Sequence, residues 1–138
     1  MHPALSPLAQ AAWLGAAAAV GLGAALGALL RWRLAAAFNH SHAWLPLGTL
    51  VANLLGGSLV GVAVAAFAQH PQWPQTWRLF VITGFLGGLT TFSSFSAEVV
   101  ALLQQARLLP ALATAGLHLA GSLLATALGV WTWQLLRS

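Results

Sequence analysis

The chain has 138 residues, 59% of them hydrophobic and only 4% charged, with a formal net charge of +4 set by five arginines and a single carboxylate, Glu98. A soluble domain carries roughly a quarter charged residues, so this composition, with a mean hydropathy of +0.84, belongs to an integral membrane protein. The arginines are scattered and form no basic patch, which argues against nucleic-acid binding, and the lack of cysteine removes disulfide and thiolate chemistry.

Four apolar stretches, at about 11–30, 47–68, 77–103 and 109–136, lie near or above the ~20 residues needed to cross a hydrocarbon core. No Lys or Arg precedes the first, and it is too long for the apolar region of a secretory signal. It reads as a retained transmembrane helix. The first connection carries Arg31, Arg33, Asn39, His40, His42 and Pro46, the second is stopped by Pro71 and Pro74, and the third holds Arg107. The expectation is one all-α transmembrane domain over 1–138.

The third stretch differs from the others. It contains Gly84-Phe85-Leu86-Gly87-Gly88-Leu89-Thr90-Thr91-Phe92-Ser93-Ser94-Phe95-Ser96-Ala97-Glu98. Gly is a poor helix former and Thr is stiff at χ1. The sequence therefore predicts a helix broken near its middle. Backbone freed in lipid must be buried in protein or line an aqueous cavity, and breaks of this kind bind ions.

With four spans, Arg78 and Arg137 fall on the side of the chain termini, and Arg31, Arg33 and Arg107 on the other. The positive-inside rule has almost no excess to act on. Such a chain can insert both ways and pair with an inverted copy, unless a partner supplies the missing bias. Small-xxx-small spacings at Gly23/Gly27, Gly57/Gly61, Gly84/Gly88 and Gly121/Ala125/Gly129 permit close helix approach. The seven tryptophans sit mostly near span ends, as interfacial anchors do.

Few polar groups remain inside the spans. Asn53 shares a face with Gly57 and Gly61, Phe92 and Phe95 are i, i+3 on the helix that resumes after the break, and Ser122 and Thr126 are i, i+4 on the fourth span. None is charged. Amide and hydroxyl hydrogens donate to anions, and aromatic rings have positive edges. Two readings stand side by side: an anion path, or a satisfied Asn with packed Phe rings. His118 reads as a packing or hydrogen-bonding residue, and Glu98 as hydrogen-bonded or paired with an arginine.

At this point the chain resembles the small fluoride channels (Fluc, also called CrcB). Gly27-Ala28-Leu29-Leu30-Arg31, the run from Gly48 to Gly57 and the run from Gly84 to Glu98 carry the likeness, which covers nearly the whole chain. The resemblance implies an antiparallel, dual-topology homodimer in the cell (inner or plasma) membrane, with two pores exporting toxic fluoride passively. It implies a central Na⁺ at the dimer interface on the backbone carbonyls of Gly87 and Thr90. It places Asn53, Phe92, Phe95, Ser122 and Thr126 along the fluoride pathway, with Arg31 near its entrance. Members often carry a tyrosine near the start of the fourth span; this chain has no Tyr, so either His118 takes its place or the contact is absent.

Other functions fit less well. A small multidrug-type, proton-coupled exporter also uses four spans and antiparallel dimers, but needs an intramembrane carboxylate that the first span lacks. A poreless assembly subunit leaves the polar break unexplained. No nucleophile–base pair or metal cluster suggests an enzyme.

Overall fold

A computed structural model describes residues 6–40 and 44–138; His42 lies outside them. The regular structure among the described residues is all helical, in four spans: Pro7–Phe38 (α1), Leu47–Gln69 (α2), Gln75–Gln104 and Leu108–Leu135 (α6). The third span is composite, with α3 (Gln75–Arg78), a π-helix π1 (Leu79–Leu86), α4 (Gly87–Leu89) and α5 (Phe92–Gln104).

Helix α1 starts on Ser6, whose hydroxyl accepts from the Ala9 N–H, with Pro7 in the first turn where a missing N–H costs nothing. It runs past Leu30 to Phe38, so Arg31 and Arg33 are helical and the first connection is shorter than the sequence suggests. The physical reason is propensity: Arg, Leu and Ala are good helix formers, and no breaker occurs before Asn39. Asn39 then serves two helices. Its N–H closes α1 on the Ala35 carbonyl, and its Oδ1 accepts from the Gly48 and Thr49 N–H groups at 2.7 and 3.3 Å. Pro46, at the start of α2, makes no side-chain cap, so Asn39 supplies it across the connection.

Glycines set the helix pairing. α1 lies on the third span, where a Cβ on Gly23 or Gly27 would meet the Phe85 or Leu89 nitrogen at 2.7 Å. α2 lies on α6, where a Cβ on Gly57 would meet the Ser122 carbonyl at 3.1 Å. Lipid gives no hydrophobic drive for helix association, so backbone proximity and dispersion hold these seams together. Where α2 and α6 both end, Trp133 Nε1 donates to Gln69 Oε1 at 2.9 Å and Arg137 lies 4.7 Å over the Trp133 ring. That end also holds His70 stacked on Trp73, an aromatic anchor of the interfacial kind.

Candidate functional site

The break lies at Thr90 and Thr91, both extended (ψ 154° and 119°), while Gly87 stays helical at φ −65°, ψ −35°. Side chains replace the lost helical bonds. Thr91 Oγ1 accepts the Ser94 N–H at 3.1 Å and starts α5 as its N-cap, and Thr90 Oγ1 donates back to the Leu86 carbonyl at 2.9 Å. Asn53, reaching over from α2, grips the extended residue at both ends. Its Oδ1 accepts the Thr91 N–H at 2.7 Å and its Nδ2 donates to the Thr91 carbonyl at 3.0 Å. The second Nδ2 hydrogen meets His118 Nδ1 of α6 at 2.9 Å. Every donor of this amide is therefore engaged, and Asn53 acts on the break as a clamp.

Redirecting these amides frees carbonyls. In a continuous helix the Thr91 N–H would bond Gly87 O and the Ser94 N–H would bond Thr90 O; here they bond the Asn53 and Thr91 side chains. The Gly88 carbonyl, between them, accepts Arg31 Nε at 3.1 Å, a cation placed at a helix C-terminus.

Beside the break lies an open groove of about 310 Å³. Asn53, Phe92, Phe95, Ser122 and Thr126 all line it, together with Thr90, Thr91 and His118. Arg31 does not; it stays on the Gly88 carbonyl. Phe92 and Phe95 meet edge to face, with centroids 4.8 Å apart at 83°, and Phe95 stacks on His118 at 4.9 Å. Thr126 Oγ1 gives its proton to the Ser122 carbonyl, so of these two lining residues only Ser122 has a hydroxyl proton left to offer the groove. The lining carries no arginine or carboxylate.

A second polar line escaped the sequence reading. Asn39 Nδ2 donates to Thr49 Oγ1 at 3.2 Å, and Thr49 donates to Glu98 Oε1 at 2.7 Å. Glu98 Oε2 faces His118 Nε2 at 4.0 Å, too far for a direct bond, and neither atom has a hydrogen-bond partner among the described residues. Glu98 thus hydrogen-bonds, as expected, but to a threonine, and the ring it faces is a histidine rather than an arginine. The available signal was Thr49, one helical turn before Asn53 on the same face of α2.

Comparison with known proteins gives the family. Residues 18–130 match the family described as CrcB-like protein, Camphor Resistance (CrcB). A Chromobacterium violaceum protein named fluoride-specific ion channel FluC is 57% identical over 119 residues, covering 86% of this chain and 94% of that one. Its namesake in Albidiferax ferrireducens is 60% identical over 114 residues (83% and 87% covered), and that of Pseudomonas aeruginosa 56% over 119 (85% and 94%). A four-span helical chain with a broken third span, matched along almost its whole length, belongs to the CrcB family.

Proposed function

We propose that this chain is a fluoride channel, letting F⁻ leave the cell passively through the groove beside the Thr90–Thr91 break. The observation that carries the reading is the chemistry of that groove: neutral, with Ser122 as hydroxyl donor and two phenylalanine rings at the break. Fluoride holds its hydration shell tightly, so a pore must offer directed donors in place of water yet let the ion go. Weak, neutral sites in series meet both demands, whereas a fixed positive charge in the groove would slow release. The direct test is efflux from liposomes holding the purified protein, read with a fluoride electrode and repeated for chloride. Fluoride flux without comparable chloride flux is expected; chloride flux of equal size overturns selectivity.

Phe92 and Phe95 act through their ring edges, because isoleucine keeps apolar bulk but has no aromatic quadrupole. Phe92→Ile and Phe95→Ile are each expected to cut fluoride flux at least several-fold without changing assembly on size exclusion. Wild-type flux in both variants would leave the rings with a packing role only.

The working unit in this reading is an antiparallel homodimer in the cell membrane, inserted in both orientations, with a groove on each copy. Thr83, Gly87, Phe92 and Ser93 are exposed on the third span at membrane depth, and freed backbone there has to be covered by protein. The Gly87 and Thr90 carbonyls, left without their helical amides, are neutral oxygen donors of the sort Na⁺ accepts, and in the dimer they would hold one Na⁺ between the two breaks. The ion would supply charge that ties the two carbonyl sets together. Within one chain a Cβ on Gly87 meets only the Ile82 carbonyl, at an ordinary 3.6 Å. Gly87→Leu is therefore expected to fold as a monomer but lose the dimer, measured by cross-linking in membranes. A full-strength Gly87→Leu dimer places the interface elsewhere, and a dimer lifetime unchanged after prolonged Na⁺-free equilibration removes the ion.

A further inference from the structure

The Asn53 clamp fixes the proton positions on His118. The Thr91 N–H has to face an oxygen, so Asn53 Oδ1 lies there at 2.7 Å and Nδ2 points at His118 Nδ1, 2.9 Å away. An amide nitrogen is only a donor, so Nδ1 accepts through its lone pair and the imidazole proton sits on Nε2, toward Glu98. We propose that His118 is a positioning residue for the pore: its neutral Nδ1 holds the Asn53 amide on Thr91, and a proton on Nδ1 releases that hold. The inference rests on the groove being the fluoride pathway.

A second proton on His118 would set two donors against each other at 2.9 Å. Turning the Asn53 amide over would relieve that contact but bring Nδ2 against the Thr91 N–H and Oδ1 against the Thr91 carbonyl. No orientation of Asn53 satisfies both a protonated His118 and the break. The ring has little room to avoid the conflict, being 1% exposed and stacked on Phe95. Few ionisable groups surround it. α5 contributes Glu98, facing Nε2; α2 contributes no ionisable side chain; and Arg31 of α1 is held on the Gly88 carbonyl. Protonation of His118 and an intact break are mutually exclusive, so acid loosens the wall formed by Thr90, Thr91 and Phe92.

Two measurements test this. Isotope-labelled imidazole NMR of the full chain in lipid, with His118 assigned by comparison with His118→Gln, should find Nδ1 unprotonated and Nε2 protonated at neutral pH. Fluoride efflux is then followed from about pH 7.5 down to about pH 4.5, well past the interval over which an unperturbed histidine gains its charge, with the HF leak of protein-free liposomes subtracted. Wild-type flux should fall several-fold. His118→Gln has an acceptor but no titrating ring, so its profile, normalised to its own neutral-pH flux, should be flat. His70→Gln, at the far end of α2, should follow the wild type. A proton on Nδ1 at neutral pH, or a His118→Gln profile that matches the wild type, overturns the proposal. A complete lack of fluoride flux instead sinks the pathway reading, and the NMR tautomer, read without any ion, still decides the role of His118.

Discussion

Asn53→Ala is expected to abolish fluoride flux and to lower stability in detergent by about 2–4 kcal/mol, the cost of stranding buried polar groups. Three hydrogen bonds disappear with the amide, and the loss is uneven. The Thr91 carbonyl is the N-cap carbonyl of α5 and still takes the first helical bond. The Thr91 N–H and His118 Nδ1 have no such second partner, and an orphaned N–H at membrane depth finds no water in the hydrocarbon. The extended pair Thr90–Thr91 would then refold toward helix or splay, and either movement displaces Phe92 and Phe95 from the groove. Asn53→Asp separates the clamp from mere bulk. It keeps the bulk and an acceptor for the Thr91 N–H but sets oxygen against the Thr91 carbonyl and the His118 lone pair and puts a carboxylate at membrane depth, so stability should fall at least as far as in Asn53→Ala and flux should be lost although the volume is kept. Denaturant titration in micelles and liposome efflux on the same preparations measure the two effects. Asn53→Ala with wild-type stability and flux would mean that the break holds itself together.

The spans were legible because hydropathy and length dictate them: lipid demands long apolar helices whatever their neighbours do. The break was legible in place and in part of its cause, since the sequence reading named glycines and threonines together. Glycines look like helix breakers, yet Gly87 keeps helical angles, and Gly84 and Gly88 lie against Val20 and Ala24 of α1, where any side chain would collide. Thr90 and Thr91 make the break instead, because their hydroxyls can take over bonds that a helix would make. The end of α1 was misplaced for a related reason: arginine marks a span end by charge but forms helix well, so Arg31 continues α1 and reaches back to the third span. Least legible were the partners of Asn53. Thr91 is 38 residues away and His118 is 65 away, and periodicity along one helix says nothing of which helix lies opposite. The sequence left Asn53 open, as a donor to an anion or as an amide satisfied across helices; the fold spends one N–H on the Thr91 carbonyl and the other on His118.

A second large effect on folding should come from the seam between α2 and α6, where Gly61→Ala and Gly129→Ala are each expected to cost at least about 1–3 kcal/mol, the usual penalty of overpacking. A Cβ on Gly61 would run into the Thr126 carbonyl and lie 2.9 Å from the Val130 nitrogen; one on Gly129 would run into the Ser58 carbonyl and lie 3.1 Å from the Val62 nitrogen. All four are backbone atoms, which cannot rotate aside as a side chain can. The helices must move apart, and in lipid the dispersion lost along the seam is not recovered by burying apolar surface elsewhere. Separation also reaches the groove, since Gly57 and Thr126 line it on the same two helices. Flux should therefore fall together with stability. Gly15→Ala and Gly116→Ala make the control, because nothing within the chain lies within 4 Å of a Cβ at either site. There the substitution only swaps a poor helix former for the best one, and stability should be unchanged or rise by up to about 1 kcal/mol. Parallel denaturation of the four variants in one detergent compares the sites directly. If Gly61→Ala and Gly129→Ala unfold at the same midpoint as the two controls, α2 and α6 are not held by backbone contact, and the groove must owe its shape to the third span alone.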